Sequence, residues 1–573
     1  MIVFLKRRFA NKSSNFLLIT FLIAWLLINL LQARLTGLHA DEAYYWVYSR
    51  FLAWGYFDHP PMVALFIKAG YSLFKNTLGL RLVTVTSYTL SIYFLWLMVK
   101  PYADNIKVFI LLFSSVLIFH VYGVITTPDS PLFFFSILFL YVYQQYIKTD
   151  HWKWGLLLGI LAAATLLSKY HGILMLFFIL ISNFSLFKRA SFWVAILIAL
   201  ALFSPHIYWQ YINDFPSLQY HLFDRSPHPY NLKNTVLYFS DQLLMTGPLM
   251  GWFLIAAFIK QKANNDQFLK SLKFMAYGIS IFFLVSTIKS RVQAQWALLE
   301  YIPVFILAYI YIAATGLKKV YRNLFITNII LIICTRLLLI TASDALKKAI
   351  FIRYYYGNEL WAKKVQQAAK GAYVVFQDGF KFPSYYNFYN QTVTGFSHNS
   401  YNYRKTQYDI WPIEDSLRHK KVFYVTKMKI NKLQTTIPTD KGIFYGNCIE
   451  QVRLYQKIGF TPENYSENWQ KGENRLVPFK IYNPYQEMVS FSDKGEKWKC
   501  RLSYAYYKEG RVISVFPVKE NFQNFSIKPK GTYLLKIYIK APEQTGKYKL
   551  IISVQTDPFP GARNSNMINM YVN

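Results

Sequence analysis

Long hydrophobic runs separated by short polar segments cover roughly the first 340 residues of the chain. A helix needs about 20 apolar residues to cross a bilayer, so the shorter runs would need tilt or neighbouring helices to span it. The pattern predicts a mainly α protein, a polytopic bundle of about eleven transmembrane helices. The runs lie near residues 16–33, 82–99, 108–126, 131–147, 153–168, 172–187, 191–212, 235–259, 274–288, 296–315 and 323–342.

The first run follows a basic segment, as the apolar part of a signal peptide does. It is longer than a signal peptide requires, and no small-residue cleavage site follows it. We therefore expect a retained signal anchor.

The pattern changes after residue 343, and we predict two domains, a transmembrane domain over 1–343 and an extracytoplasmic soluble domain over 344–573. "GAYVVFQDGFKFPSYYNFY" and "KKVFYVTKM" predict short strands of an α/β segment. "GTYLLKIYIKAPEQTGKYKLIISVQTD" alternates apolar and polar residues around a turn rich in Pro and Gly. This alternation predicts an antiparallel hairpin within a β-rich sandwich.

The chain is basic, with a net charge of +34, and also hydrophobic, with 54% hydrophobic residues and a mean hydropathy of +0.19. A basic chain would suit nucleic acid, but the hydropathy favours membrane lipids as the partner and no nucleic acid. Lys and Arg are concentrated in the inter-run segments of one side, which places the N-terminus in the cytoplasm. The loop over 34–81 and the C-terminal domain are then outside.

This orientation gathers ionisable side chains at the outer face. Each has an ordinary explanation: exposed acids are common after a span, Pro and Asp form tight turns, a lone His often bonds a backbone carbonyl, and Lys or Arg can snorkel. Arg336 is harder to explain in this way, because a charge within the last span is costly. The residues at the outer face are Asp41, Glu42, Asp129, Lys169, His206, His221 and Arg291, and Arg336 is added to them from within the last span.

The outer loop over 34–81 is long and aromatic. "EAYYWVYSRFLAWGY" has the spacing of an amphipathic helix lying on the membrane surface, and "PPMVALFIKAGYSLF" could form a second. A pair of interfacial helices with two carboxylates suits an enzyme that acts on a lipid-linked substrate.

Four motifs carry a resemblance over roughly residues 15–345. They are "ADEAYY", "GYFDHPPM", "TTPDSPLFFF" and "SPHIYWQYINDFPSLQYHL", and "LLSKYHG" and "VQAQWALLEYIP" add weaker signals. In this order and on one face, they resemble the GT-C class of integral-membrane glycosyltransferases. The chain is most similar to the superfamily of bacterial protein mannosyltransferases and lipid A aminoarabinose transferases.

The resemblance implies transfer of a sugar from a polyprenyl phosphate to an acceptor at the outer face of a bacterial inner membrane. Asp41 corresponds to the loop aspartate of this superfamily, the candidate general base of an inverting reaction. Glu42 and Asp129 complete the predicted catalytic group as orienting residues. Because the leaving phosphate is anionic, its predicted ligands are the cations Lys169, Arg291 and Arg336.

The resemblance implies an enzyme that requires no cofactor. A divalent metal is possible, and its candidate ligands are Asp58 and His221. Tyr44, Tyr45, His59 and His206 are predicted pocket residues. The chain departs from the aminoarabinose transferases at Tyr44, where they have a basic residue, and at His59, where they have Lys. Their contacts with sugar and phosphate therefore cannot be copied onto this chain.

Two other functions remain open from the sequence. A polytopic transporter or lipid flippase would show inverted repeats with broken central helices, and no such symmetry is visible. A membrane-anchored binding or assembly protein would have its active part in residues 344–573. The acceptor is open as well, with lipid A, another glycolipid, a polysaccharide and protein hydroxyls as alternatives.

Overall fold

The computed structural model describes residues 2–224, 230–341, 354–430 and 433–573. The chain forms two compact units, one made of Met1–Ser217 with Pro229–Tyr356 and the other of Leu218–His228 with Gly357–Asn573. The domain boundary that the sequence predicts, between residues 343 and 344, lies outside the described residues.

The first unit is helical. Seven of its described helices are long and apolar enough to cross a membrane, and a bent pair could form an eighth crossing. The helices are α1 (Ile2–Leu35), α2 (Ala40–Arg50), α3 (Met62–Leu73), α4 (Thr77–Val99), α5 (Ile106–Ser115), α6 (Leu117–Tyr122), α7 (Asp129–Thr149), α8 (Trp152–Ser168), α9 (Gly172–Ser182), α10 (Ala190–Ile212), α11 (Pro216–Leu218), α12 (Leu232–Thr246), α13 (Gly251–Lys260), α14 (Gln267–Ser286), α15 (Leu298–Thr315) and α16 (Lys319–Thr341).

Helices occupy all eleven predicted runs, but three runs are interrupted. An extended backbone at Val116 separates α5 from α6, and Asn183 ends α9 before a short 3-10 turn. The pair α12 and α13 is bent by 92°, and Gly247 at the break has a φ of +159°, which disfavours a side chain. The multi-pass bundle is confirmed, while the count of eleven spans stays a prediction.

Burial differs strongly between the spans. α15 lies at the centre, with 78% of its apolar window buried, whereas the values for α1 and α16 are 28% and 22%. Because a lipid-facing helix keeps apolar side chains outside, α1 and α16 are peripheral helices of the bundle. The apolar core joins α15 to α4, α5, α7 and α14 through aromatic side chains such as Phe109, Tyr143 and Phe305.

The two helices predicted within the outer loop are present as α2 and α3. A capping box at His39 starts α2, since Glu42 accepts from the backbone N–H of His39. Residues 42–49 of α2 are all buried, so this helix packs on every side and not only on an apolar face. The interfacial position of the two helices stays a prediction.

The second unit combines a mixed sheet with a β-sandwich. Its elements are α17 (Asn358–Ala369), β1 (Tyr373–Gln377), α18 (Lys381–Tyr389), β2 (Phe396–His398), α19 (Ile413–Leu417), β3 (Val422–Thr426), β4 (Thr435–Thr439), β5 (Gly442–Ile449), β6 (Gly459–Pro462), β7 (Asn468–Trp469), β8 (Asn474–Tyr482), β9 (Val489–Ser490), β10 (Cys500–Lys508), β11 (Arg511–Pro517), β12 (Ser526–Ile527), β13 (Thr532–Lys540), β14 (Gly546–Thr556) and β15 (Ile568–Val572). The mixed sheet has the order β2-β1-β3-β5-β4, and β1 pairs in parallel with β2 and β3. The sandwich sheets have the orders β11-β10-β14-β15-β7 and β13-β8-β6.

The predicted α/β segment and β-rich sandwich are confirmed, but the predicted hairpin is wrong. β13 pairs with β8, and β14 pairs with β10 and β15, so the turn between them carries the chain from one sheet to the other. Ile537 of β13 and Ile552 of β14 face the same core from opposite sheets. Cys448 and Cys500 lie in β5 and β10 as free thiols.

Candidate active site

A buried ion pair fixes the start of α2. The guanidinium of Arg81 donates to both carboxylate oxygens of Glu42, from Nε at 2.7 Å and from Nη2 at 2.5 Å. It also donates to the backbone carbonyls of Ala33, Thr36 and Gly37, which end α1. Glu42 further accepts from the backbone N–H of Thr126 at 3.0 Å. Glu42, predicted as catalytic, is thus wholly occupied in joining α1, α2, α4 and the segment before α7.

Asp41 lies one residue earlier and has a different environment. Its side chain is 41% exposed, whereas that of Glu42 is 0% exposed. The Asp41 carboxylate lies 3.5 Å from Nδ1 of His39. Since α2 begins here, the positive end of the helix dipole also favours the ionised carboxylate. An accessible carboxylate beside an imidazole can accept a proton from a bound hydroxyl.

Asp129 forms the second buried ion pair, with Lys169. The Lys169 ammonium donates to Asp129 Oδ1 at 2.7 Å, and both side chains are almost fully buried. Asp129 starts α7, and the hydroxyl of Thr127 contacts its other oxygen at 3.4 Å. The predicted phosphate ligand Lys169 therefore already has an anionic partner, and the pair contributes little net charge.

Tyr45 is a buried phenol near the carboxylates of the site. Burial raises the pKa of Tyr45 well above its usual value, and the nearby carboxylates of Asp41, Asp58 and Asp129 raise it further. The Tyr45 phenol therefore stays protonated and able to donate a hydrogen bond. The ring also meets His59 edge-on, with centroids 5.8 Å apart. The structure thus brings the three aspartates around one aromatic residue.

Asp58 accepts hydrogen bonds from two further tyrosines of α2. The hydroxyl of Tyr44 lies 3.1 Å and that of Tyr48 3.4 Å from Asp58 Oδ2. These bonds favour the ionised form of Asp58 and hold the "DHPP" turn against α2. Tyr44 is one of the departures from the aminoarabinose transferases, and its role here is to bond this acid.

His206 joins the loop before Asp58 to Tyr170 through its two ring nitrogens. Nδ1 donates to the carbonyl of Trp54 at 2.7 Å, and Nε2 accepts from the hydroxyl of Tyr170 at 3.1 Å. Gln210 donates to the same hydroxyl at 3.0 Å. A Cβ atom on Gly55 would approach His206 and Trp209 to within 3 Å, so the loop needs glycine here. His206 is therefore a buried neutral imidazole that positions the loop.

The other predicted site residues lie elsewhere. Arg291 is exposed between α14 and α15, and Arg336 lies in α16. His221 belongs to the second compact unit, in a turn of π-helix. Among the residues that the structure describes, no group of three His, Cys, Asp or Glu side chains could hold a metal ion. The divalent metal stays a prediction.

Part of the chain matches a known protein family, and solved structures are similar to it in fold. Residues 58–209 match the family described as dolichyl-phosphate-mannose-protein mannosyltransferase. The fold is similar to that of ArnT from Cupriavidus metallidurans in the apo state, with a TM-score of 0.58 and 14% identity over 76% of this chain and 98% of ArnT. The chain has the GT-C fold. ArnT bound to undecaprenyl phosphate is similar as well, with a TM-score of 0.53 and 14% identity over 75% of this chain and 97% of that one. No curated protein matches the sequence.

These findings confirm the resemblance to the GT-C glycosyltransferases related to protein mannosyltransferases. Three of the four motifs lie wholly or partly within the matched residues, whereas Asp41 and Glu42 precede them. The roles of the individual site residues stay predictions.

Sequence reasoning missed Arg81 and Tyr170. Arg81 stands immediately before the apolar run at 82–99, and such a position is normally explained by snorkelling. A basic residue at the head of a span and an acid in the preceding loop form a detectable pair, but many pairs of this kind occur by chance. Tyr170 follows Lys169 in "LLSKYHG" and carries no signal that distinguishes it from the other 45 tyrosines.

Proposed function

We propose that this protein is a membrane glycosyltransferase that moves a sugar from a polyprenyl phosphate to an acceptor at the outer face of a bacterial inner membrane. The GT-C fold, the mannosyltransferase match and the undecaprenyl phosphate bound by ArnT support a lipid-linked donor. The observation that carries the proposal is the contrast among the predicted catalytic acids. Glu42 and Asp129 are buried in ion pairs, whereas the carboxylate of Asp41 is accessible.

The proposed reaction is a single displacement at the anomeric carbon. The Asp41 carboxylate accepts the proton of an acceptor hydroxyl, and the oxygen forms a bond to the anomeric carbon. The bond from that carbon to the phosphate oxygen breaks at the same time, and the electron pair leaves with polyprenyl phosphate. Attack opposite the leaving group inverts the configuration. Asp41 then carries the proton until solvent removes it.

The other groups of the site would position the reactants. The pairs Glu42–Arg81 and Asp129–Lys169 hold the starts of α2 and α7, which carry Asp41 and Asp129. The protonated hydroxyl of Tyr45 can donate to the sugar or to the phosphate. The Lys169 ammonium has further N–H groups besides the one that donates to Asp129, and these would donate to the departing phosphate, while Arg291 and Arg336 stay predicted ligands.

A comparison of Asp41→Asn with Asp150→Asn tests this proposal. Asp150 is a matched control because its side chain is 48% exposed and also lies beside a basic group, Arg189, at 3.7 Å. Membrane vesicles containing each variant would receive polyprenyl-phosphate sugars with a radioactive sugar, and label in envelope glycolipids, polysaccharide and protein would be counted.

We expect Asp41→Asn to reduce the transfer rate by about 100- to 10,000-fold, the usual contribution of a general base. Asp150→Asn should transfer at the wild-type rate. Unimpaired transfer by Asp41→Asn would remove Asp41 as the base, and the absence of transfer by the wild type with every sugar donor would contradict the function. Mass spectrometry of the envelope with and without the chain would identify the sugar and its acceptor.

A further inference from the structure

Arg336 lies in the last described helix of the first unit, within a cluster of polar side chains from α1 and α6. Its guanidinium donates from Nε to the side-chain oxygen of Gln32 at 2.5 Å and from Nη2 to that of Asn29 at 2.7 Å. Nη1 lies 3.0 Å from Nδ1 of His120. Asn29, Gln32 and His120 are all buried. Four side chains from three helices therefore form one built cluster.

All of these partners are uncharged. Nε2 of His120 lies 2.8 Å from the carbonyl of Ser114, which can only accept, so Nε2 carries the proton. Nδ1 must then be the acceptor for Arg336, and the imidazole is neutral. No described carboxylate forms an ion pair with Arg336, so the cluster keeps a full positive charge within an apolar bundle. Such a charge costs free energy unless an anion accompanies it.

The cluster also has unused hydrogen-bond donors. A guanidinium has five N–H groups, and the three named bonds use three of them, which leaves one on each terminal nitrogen. The ring of Trp25 lies against that of His120, with centroids 4.8 Å apart. The buried indole N–H of Trp25 has no hydrogen-bond partner among the described residues. Guanidinium N–H groups are well suited to donate to the oxygens of a phosphate.

The position of the cluster indicates how such an anion arrives. Gln32 stands three residues before the end of α1, about 5 Å along the helix axis, and its partner Arg336 lies at the same level of the bundle. Both helices are mostly exposed to lipid, and Leu31 and Leu337 point outward beside the cluster. An anion attached to a hydrocarbon tail can therefore reach the guanidinium from the bilayer.

We infer that Arg336, Asn29, Gln32 and His120 form a binding site for the phosphate of a lipid. The neutral partners hold the guanidinium in place without cancelling its charge, which stays available for the phosphate. The lipid is either a polyprenyl phosphate or a phospholipid whose headgroup is anionic. The inference deepens the proposed function, and rests on it only in naming a polyprenyl phosphate as one of the two sources.

The substitution Gln32→Glu tests the site without breaking it. Glu has the shape of Gln, so its oxygen can still accept from Arg336 Nε, and the new negative charge compensates the guanidinium internally. Gln145→Glu, a half-buried position on α7, is the control for an added carboxylate. Purified full-length protein in detergent would be titrated with undecaprenyl phosphate and, separately, with phosphatidylglycerol, and binding followed by native mass spectrometry.

We expect Gln32→Glu to weaken binding of the preferred lipid at least tenfold, with an unchanged or higher melting temperature in the absence of lipid. Gln145→Glu should bind as the wild type does, and Arg336→Lys should bind more weakly because it lacks the planar fork. The tighter-binding lipid identifies the source. Equal binding by wild type and Gln32→Glu would overturn the inference. Because the assay contains neither sugar nor acceptor, loss of this site and loss of glycosyl transfer are observed separately.

Discussion

Arg81 and Arg336 are both held within the helical unit by several hydrogen bonds, but a carboxylate compensates the charge of Arg81 and no described carboxylate compensates that of Arg336. At the start of α4, the carboxylate of Glu42 accepts two bonds from Arg81, and three carbonyls accept the remaining ones. In α16, the partners of Arg336 are the side-chain amides of Gln32 and Asn29 and the neutral imidazole of His120. Arg81 thus forms five hydrogen bonds with a carboxylate among its acceptors, and Arg336 forms three with uncharged acceptors only. The neutralised arginine joins helices, whereas the uncompensated one can bind an anion.

The paired region can be tested by removing its cation. Arg81→Gln should lower the free energy of unfolding by about 3 to 5 kcal/mol, because it leaves the Glu42 carboxylate buried without a cation. Thermal unfolding in detergent would measure the loss. The double variant with Glu42→Gln removes the buried charge and should recover much of the stability.

Asp150→Asn is the control for this prediction. It removes the charge from the partly exposed ion pair with Arg189 and leaves the bonds of Arg189 to the carbonyls of Tyr146 and Ile147, so it should cost less than about 1 kcal/mol. A double variant no more stable than Arg81→Gln would contradict the idea that charge compensation dominates at this position.

His398 in the second unit is also a buried basic side chain. Unlike Arg81 and Arg336, it can lose its proton, because an imidazole titrates near neutral pH and a guanidinium does not. Burial lowers the pKa of His398 to about 4, below the usual value of about 6.5. The unfolded chain therefore binds the proton first, and stability is complete above about pH 6.5 and falls as the pH decreases towards 4. At pH 5 the second unit should lose about 2 kcal/mol.

Hydrogen exchange of β1 to β3 in the full-length protein, at pH 7.5 and pH 5, would measure this change after correction for the intrinsic exchange rate. His398→Phe, which can retain the stacking on Phe559, should reduce the pH dependence. An unaltered pH dependence in His398→Phe would show that another group is responsible.

The smallest expected effect comes from a neutral contact. Tyr170→Phe removes the hydroxyl between His206 and Gln210 and should cost about 1 to 2 kcal/mol in thermal unfolding. Tyr211→Phe, on an exposed side of α10, should cost almost nothing. If Tyr170→Phe lowered the free energy of unfolding as much as Arg81→Gln, the larger effect expected at Arg81 could not be attributed to its charge.

The candidate site was predictable in part. Four motifs in their order indicated the GT-C class, and "ADEAYY" indicated an acid pair after the first span. The sequence could not distinguish Asp41 from Glu42, because adjacent residues of a helix point in different directions and only the position of Arg81 decides which one is buried. Lys169 was predicted to meet a phosphate, yet the fold places it beside Asp129, 40 residues away in the chain.

By itself, the sequence determined the apolar helices, the change to β structure and the class of fold. Hydrophobicity and periodicity are local properties, and they depend on contact with lipid or core in general and not on a particular neighbour. Only the tertiary structure decided that β13 and β14 lie in opposite sheets, that Arg81 is neutralised and that Arg336 is not. Strand pairing and charge compensation depend on which distant residue lies within about 3 Å, and no local pattern encodes that distance.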